Sequence, residues 1–449
     1  MATFQTAPRV LPSLLFRLAD ARLRTDDLFR LLQPDSIYER PVAERHRLIF
    51  YLGHLEAFDW NLLSPKLDLE PYEPEMAKLF AFGIDPVDGG LPSDVPADWP
   101  TVVQVEKYNR ELRGRLDQAL SDLSKSRFVP EIADGTLLNV AVEHRLMHAE
   151  TLAYLMHGLP LESKIVPRSA LQPDSAPPPR PGQVTVPAGV ATLGQVRHVE
   201  AFGWDNEFDS EQVAVPSFSI DVFPVTNLEY LKFVHAGGYE NASYWRSEDW
   251  EWKCQQGLAH PHFWTRSLSA LSTDSETQWE FRGMFGTILL PESWPVYVSY
   301  AEAAAFAKWA GKKLPTEAQW HRAAYGTPEG EERAYPWGFA PPDETRGNFH
   351  HAQWDPSPVD AHPDGASAFG VSDLIGNGWE WTSTPFGPLP GFEPFAFYRG
   401  YSANFFDGKH FVMKGGSPRT DACMLRRSFR NWFQPHYPYV YAKFRCVEE

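Results

Sequence analysis

Apolar residues recur at helical spacing through the first third of the chain, and the rhythm changes abruptly after it. Leu14, Leu15, Leu18, Leu23 and Leu28 set the period of a helix expected over Leu11–Leu32. Second, third and fourth helices are expected over Val42–Leu63, Thr101–Ser124 and Gly135–Met156, the second following the turn signals Pro34-Asp35-Ser36. The connection Ser64–Pro100 is rich in Pro, Gly and Asp and long for a plain loop, the kind of segment that often covers a site. Four helices with one long crossover predict a four-helix bundle, whose interior commonly takes metal ligands from facing helices.

Residues 167–187, PRSALQPDSAPPPRPGQVTVP, break the pattern with an extended, semi-rigid stretch. Beyond it come short β-like runs, Gln183–Val186 and Phe218–Val222. Helices are expected over Asn227–His235 and Tyr300–Trp309, and a third begins behind Thr316 as N-cap with Pro315 before it. Most of the 16 Trp and 30 Phe lie after residue 200, which predicts an aromatic-packed α+β domain with little regular structure. The expected division is a bundle over 1–166, a proline-rich linker over 167–182 and a second domain over 183–449.

Composition narrows the partners. A net charge of −17 argues against nucleic acid and against anionic membrane surfaces. Cys254, Cys423 and Cys446 are far apart and form no CxxC pattern, so neither a zinc site nor a disulfide framework is expected. The opening MATFQTAPRVLPSLLF lacks the layout of a secretory signal, and no apolar run approaches membrane-spanning length. The expectation is a cytoplasmic protein with no membrane partner.

The candidate chemistry lies in the bundle. His144 and His148 stand one turn apart on one face of the fourth helix, able to grip one metal. A zincin would carry its general-base Glu directly after the first His, where this chain has Arg145. Alone, an HxxxH pair is more often incidental than ligating. His54, in Phe50-Tyr51-Leu52-Gly53-His54, is flanked by apolar and aromatic residues that would hold it neutral, and a lone His there is usually a satisfied core residue. A third donor from another helix would complete a facial set with open positions, which suits non-haem iron and oxygen.

Motif order in the second domain carries a resemblance. Phe223-Pro224-Val225-Thr226-Asn227, Leu314-Pro315-Thr316-Glu317-Ala318-Gln319-Trp320, Gly376-Asn377-Gly378-Trp379-Glu380-Trp381-Thr382, Lys414-Gly415-Gly416-Ser417 and Phe444-Arg445-Cys446 stand in the order found in formylglycine-generating-enzyme-like domains. With the FYxGH and HxxxHAET segments, the whole chain resembles the ergothioneine-pathway sulfoxide synthases (the EgtB family) and their selenoneine synthase relatives. The resemblance implies a DinB-like four-helix bundle followed by a C-type-lectin-like (formylglycine-generating-enzyme/sulfatase-modifying) domain. It implies His54, His144 and His148 as Fe(II) ligands, and an O2-dependent reaction joining a sulfur or selenium donor to C2 of the imidazole of hercynine (trimethyl-histidine).

In the segment 426–433 the resemblance gives Asn431 to the hercynine carboxylate and Trp432 to its trimethylammonium; core packing is an equal reading for Trp432. Users of γ-glutamylcysteine carry an acidic residue where this chain has Phe433 and Gln where it has Met147, so cysteine or a selenosugar is the expected donor. The family's catalytic Tyr falls where this chain has Leu389 in Leu389-Pro390-Gly391-Phe392, which leaves Tyr398 and Tyr401 as substitutes. Two other readings are weighed. A copper-dependent formylglycine-generating oxidase needs two cysteines near the C-terminus, where His436 and Tyr441 stand. A lectin-like binding protein could use Asn348, Asn377 and Glu380 for a structural Ca(II).

Overall fold

Four long helices make the first unit. The computed structural model describes residues 7–81, 91–126, 129–167, 176–197, 202–268 and 277–449, and the chain divides into two units, Met1–Arg168 and Ser169–Glu449. Residues 168–175 of the expected linker lie outside the described residues.

The first unit runs α1 (Ala7–Phe29), α2 (Leu48–Leu63), α3 (Pro74–Leu79), α4 (Val102–Ser126), α5 (Pro130–Ala133) and α6 (Thr136–Gly158). α1 ends three residues before the expected Leu32 because the backbone there pairs elsewhere: Gln33 N–H donates to Ser163 O at 3.0 Å and Ile165 N–H to Leu31 O at 2.7 Å. α2 starts at Leu48 rather than Val42, since 42–47 form a turn in which Arg45 N–H donates to Val42 O at 3.0 Å. On α6 the seven residues from Val140 to Leu146 are all buried, Glu143, His144 and Arg145 among them. Charged residues are rarely so buried unless paired. The long connection holds α3 and then plunges inward at Phe80, which is fully buried.

In the second unit, β1 (Gln183–Val186), β4 (Phe218–Asp221) and β12 (Val447–Glu448) form one antiparallel sheet. β10 (Asn431–Phe433), β9 (Phe411–Lys414), β8 (Trp379–Pro385) and β11 (Ala442–Lys443) form another, in which β11 runs parallel to β8. Two smaller sheets complete the unit: β2 (Gly189–Leu193) with β3 (Glu211–Val215), and β5 (Trp264–Leu268) with β6 (Thr277–Gly283) and β7 (Gly286–Leu289).

Of its helices α7 (Asn227–His235), α8 (Ser247–Gln255), α9 (Tyr300–Trp309) and α10 (Glu317–Tyr325), three begin with capping boxes: Thr226 with Glu229, Ser299 with Glu302, and Thr316 with Gln319. α8, SEDWEWKCQ, has no periodic apolar face and was silent in the pattern. Behind the sheets Arg445 donates to both oxygens of Glu380 at 2.7 Å, and Trp320 Nε1 donates to the same carboxylate at 2.8 Å. This buried knot joins the ends of α10, β8 and the C-terminal segment.

Candidate metal centre

Two helices bring three imidazoles together. His54 on α2 faces His144 and His148 on α6, with ring centroids 5.3 and 5.0 Å away. One ring nitrogen from each lies within 4.8 Å of the others, and all three residues are buried. His144 Nε2 and His148 Nε2 are 3.1 Å apart. Aromatic rings wall the site: Phe58 stacks on His144 at 3.4 Å and Phe50 on His54 at 4.8 Å between centroids.

Burial holds every ring neutral. It pushes His54 down to about 4, against the opposing pull of its hydrogen bond to Phe80 O. His144 and His148 are driven well below the ordinary range, first by burial and then by the neighbouring imidazoles. Three neutral nitrogen donors suit a borderline divalent metal. Two nitrogens bound at right angles, each ~2.1 Å from a metal, stand about 3.0 Å apart, close to the observed His144–His148 separation. That pair suits neighbouring positions on one metal, and His54 brings a third ring nitrogen within 4.8 Å of both. With burial holding the imidazoles neutral, the affinity for a divalent metal should be flat from pH 8 down to about pH 5.5, and binding should release no proton there. Calorimetry in buffers of different ionisation enthalpy checks this.

A layer of charge sits behind the ligands. Arg145 Nη1 lies 2.8 Å from Glu56 Oε1, and its Nη2 donates to Asp59 Oδ2 at 2.7 Å and to Leu55 O at 2.9 Å. Arg113 of α4 joins Glu56 (2.7 Å) to Asp26 of α1 (2.6 and 2.7 Å). Burial would raise the Glu56 carboxyl, but Arg145 and Arg113 outweigh it and bring it to about 2. Sequence reasoning missed this layer, although Glu56, Asp59 and Arg145 inside apolar runs were its signal: buried charges demand partners.

The other candidates fall in the second unit, apart from Met147, which is half-buried on α6. Trp432 stacks on Phe386 at 4.2 Å, with Tyr401 edge-on at 5.4 Å. Tyr401 in turn stacks on Trp204 at 4.0 Å and has Tyr398 at 5.5 Å. The structure thus gathers Trp432, Tyr401 and Tyr398 in one aromatic cluster, with one face of Trp432 spent on packing. Phe433 stacks on Tyr437 at 5.3 Å. Asn431 Oδ1 accepts from Trp432 N–H at 2.9 Å. Leu389, where the family's Tyr was expected, is buried.

Two alternatives lose ground. His436 donates to Asp249 at 2.8 Å and stacks on Trp252, Tyr441 is buried, and all three cysteines are free thiols. In the loop suggested for calcium, Glu380 is taken by Arg445 and Trp320, and Asn377 Oδ1 accepts from Ser357 N–H at 2.8 Å. Lys443 Nζ already occupies a nest made by Asp373 O, Asp373 Oδ2 and Gly376 O. Among the described residues, Asn348 Oδ1 and Asp373 Oδ1 are buried side-chain oxygens there without a partner.

The model of a sulfatase-modifying factor enzyme 1-like domain matches residues 168–449. Over 355 residues, 77% of this chain and 74% of the relative, 38% are identical to the hercynine oxygenase of Mycolicibacterium thermoresistibile. The chain belongs to the hercynine oxygenase family. The hercynine oxygenase of Mycobacterium tuberculosis is 36% identical over 322 residues, 71% of this chain and 73% of that one. Ergothioneine biosynthesis protein 1 of Neurospora crassa is 28% identical over 502 residues, which cover 94% of this chain and 56% of that protein. The family is the one its motif order suggested. Among the described residues no helix is long and apolar enough to cross a membrane.

Proposed function

We propose that this hercynine-oxygenase-family chain is a non-haem Fe(II), O2-dependent enzyme that joins a sulfur or selenium donor to C2 of the hercynine imidazole. The observation that carries it is the convergence of three buried, neutral imidazoles on two helices. Fe(II) held there supplies the oxidative chemistry with O2 that side chains lack. His54, His144 and His148 hold it and leave positions open. The Asn431 amide donates to the hercynine carboxylate, and Trp432 meets the trimethylammonium with its edge or remaining face. A hydroxyl from Tyr398 or Tyr401 supplies the proton that the missing Tyr would give.

The donor follows from Phe433, with Met147 the second departure on the donor side. At the half-buried Phe433 the ammonium of γ-glutamylcysteine finds no carboxylate to pair with, so that donor loses the charge-paired contact other users of it have. Cysteine or a selenosugar remains, and selenium is favoured because a more nucleophilic, more easily oxidised chalcogen depends less on a catalytic Tyr. The test is anaerobic Fe(II) protein with hercynine, then O2, with cysteine, selenosugar and γ-glutamylcysteine in competition and products read by mass spectrometry. Comparable kcat/KM for γ-glutamylcysteine would refute the donor assignment. A Phe433→Asp variant should gain that activity.

A further inference from the structure

Gly53 lies in the interior of α2, where glycine is the poorest helix former apart from proline. Space explains its presence. A Cβ at Gly53 would lie 2.5 Å from the Cε1, Cε2 and Cζ atoms of Phe80. That ring is fully buried, 30° from the plane of Trp99 at 6.1 Å between centroids and 6.2 Å from Tyr108. Its own backbone carbonyl lies 2.7 Å from His54 Nδ1. A carbonyl only accepts, so Nδ1 carries the hydrogen and Nε2 keeps the lone pair.

We propose that Gly53 and Phe80 are positioning residues for His54: the missing Cβ admits the Phe80 ring, the ring anchors the backbone at Phe80, and the Phe80 carbonyl fixes the tautomer and plane of the imidazole. The pairing spans 27 residues of sequence and uses a backbone atom, so no motif reveals it. Histidines that bind metals commonly donate their other N–H to such a partner, and losing it weakens binding roughly 10–100-fold. The inference deepens the metal reading above and rests on it.

The test uses the full chain with Gly53→Ala, Phe80→Ala and the double variant. Three quantities are measured: Fe(II) affinity by chelator competition, the visible spectrum of the Co(II)-loaded protein, and the ring-nitrogen NMR shifts of His54 in the metal-free protein. Each single variant should lose roughly 10–100-fold in Fe(II) affinity, alter the Co(II) bands and release His54 from the pure Nδ1–H tautomer. The double should be no worse than the poorer single, because both changes break one contact.

If Gly53→Ala fails to fold, Phe80→Ala, which only removes atoms, still carries the test. Wild-type affinity, Co(II) spectrum and tautomer in Phe80→Ala would overturn the proposal while leaving the metal site standing. Wild-type protein that takes up neither metal would overturn the metal reading instead, and the His54 tautomer would then decide the positioning claim by itself.

Discussion

His54→Ala is expected to abolish turnover and to strip most of the iron from the protein. Two ligands one turn apart on α6 cannot complete a facial set alone, and His54 is the donor α2 contributes. The fold should survive. The substitution leaves the Phe80 carbonyl without its donor, a penalty of about 1–3 kcal/mol, and removes no charge. Far-UV circular dichroism should therefore match wild type while elemental analysis shows iron reduced at least tenfold. His144→Ala and His148→Ala should behave alike. Full iron occupancy with normal activity in His54→Ala would end the three-histidine reading, and copper in the wild-type protein would point to the formylglycine-generating chemistry instead.

Helical spacing puts His144 and His148 on one face, but that His54 belongs with them came only from the resemblance of the FYxGH segment. The N-cap at Thr316 made the start of one helix of the second unit readable, a local signal with a local cause, while the capping boxes at Thr226 and Ser299 emerge only in the structure. What stayed hidden is non-local. Phe80 reaches His54 through a backbone carbonyl 26 residues away, and the strands β5 to β7 and helix α8 take their places by packing rather than by pattern. The Lys443 ammonium in the loop suggested for calcium was equally invisible, since the oxygens around it come from Asp373 and Gly376, about 70 residues earlier. Oxygen-rich sequence near glycine reads the same whether the cation is bound from solution or supplied by the chain.

Arg145 was the most misleading residue in the sequence, where it served only to break a protease motif. Its side chain is 1% exposed, and the two carboxylates it joins, Glu56 and Asp59, are 1% and 0% exposed. Arg145→Met should therefore destabilise the protein by about 3–5 kcal/mol, because it removes the cation two buried carboxylates share, leaving Glu56 with Arg113 and Asp59 with Arg22 at 3.9 Å. The loss should deepen as pH rises above the ordinary carboxylate range. With Arg145 gone the two acids escape the penalty by protonating, so their folded pKa values rise, and a raised acid pKa costs stability at every pH above the unfolded value. Wild type behaves oppositely at Glu56, whose lowered pKa contributes stability that is lost as pH falls through about 4.5 toward about 2.

Arg145→Lys should rescue little, since one ammonium cannot span Glu56, Asp59 and the Leu55 carbonyl as the planar guanidinium does. The triple variant Arg145→Met, Glu56→Gln, Asp59→Asn should recover part of the loss by removing the stranded charge, although Arg113 then keeps only Asp26 as its acid partner. Urea denaturation at pH 5 and pH 8 separates these cases. Wild-type stability for Arg145→Met at pH 8 would show that the charged layer behind the imidazoles does not hold α2 and α6 together.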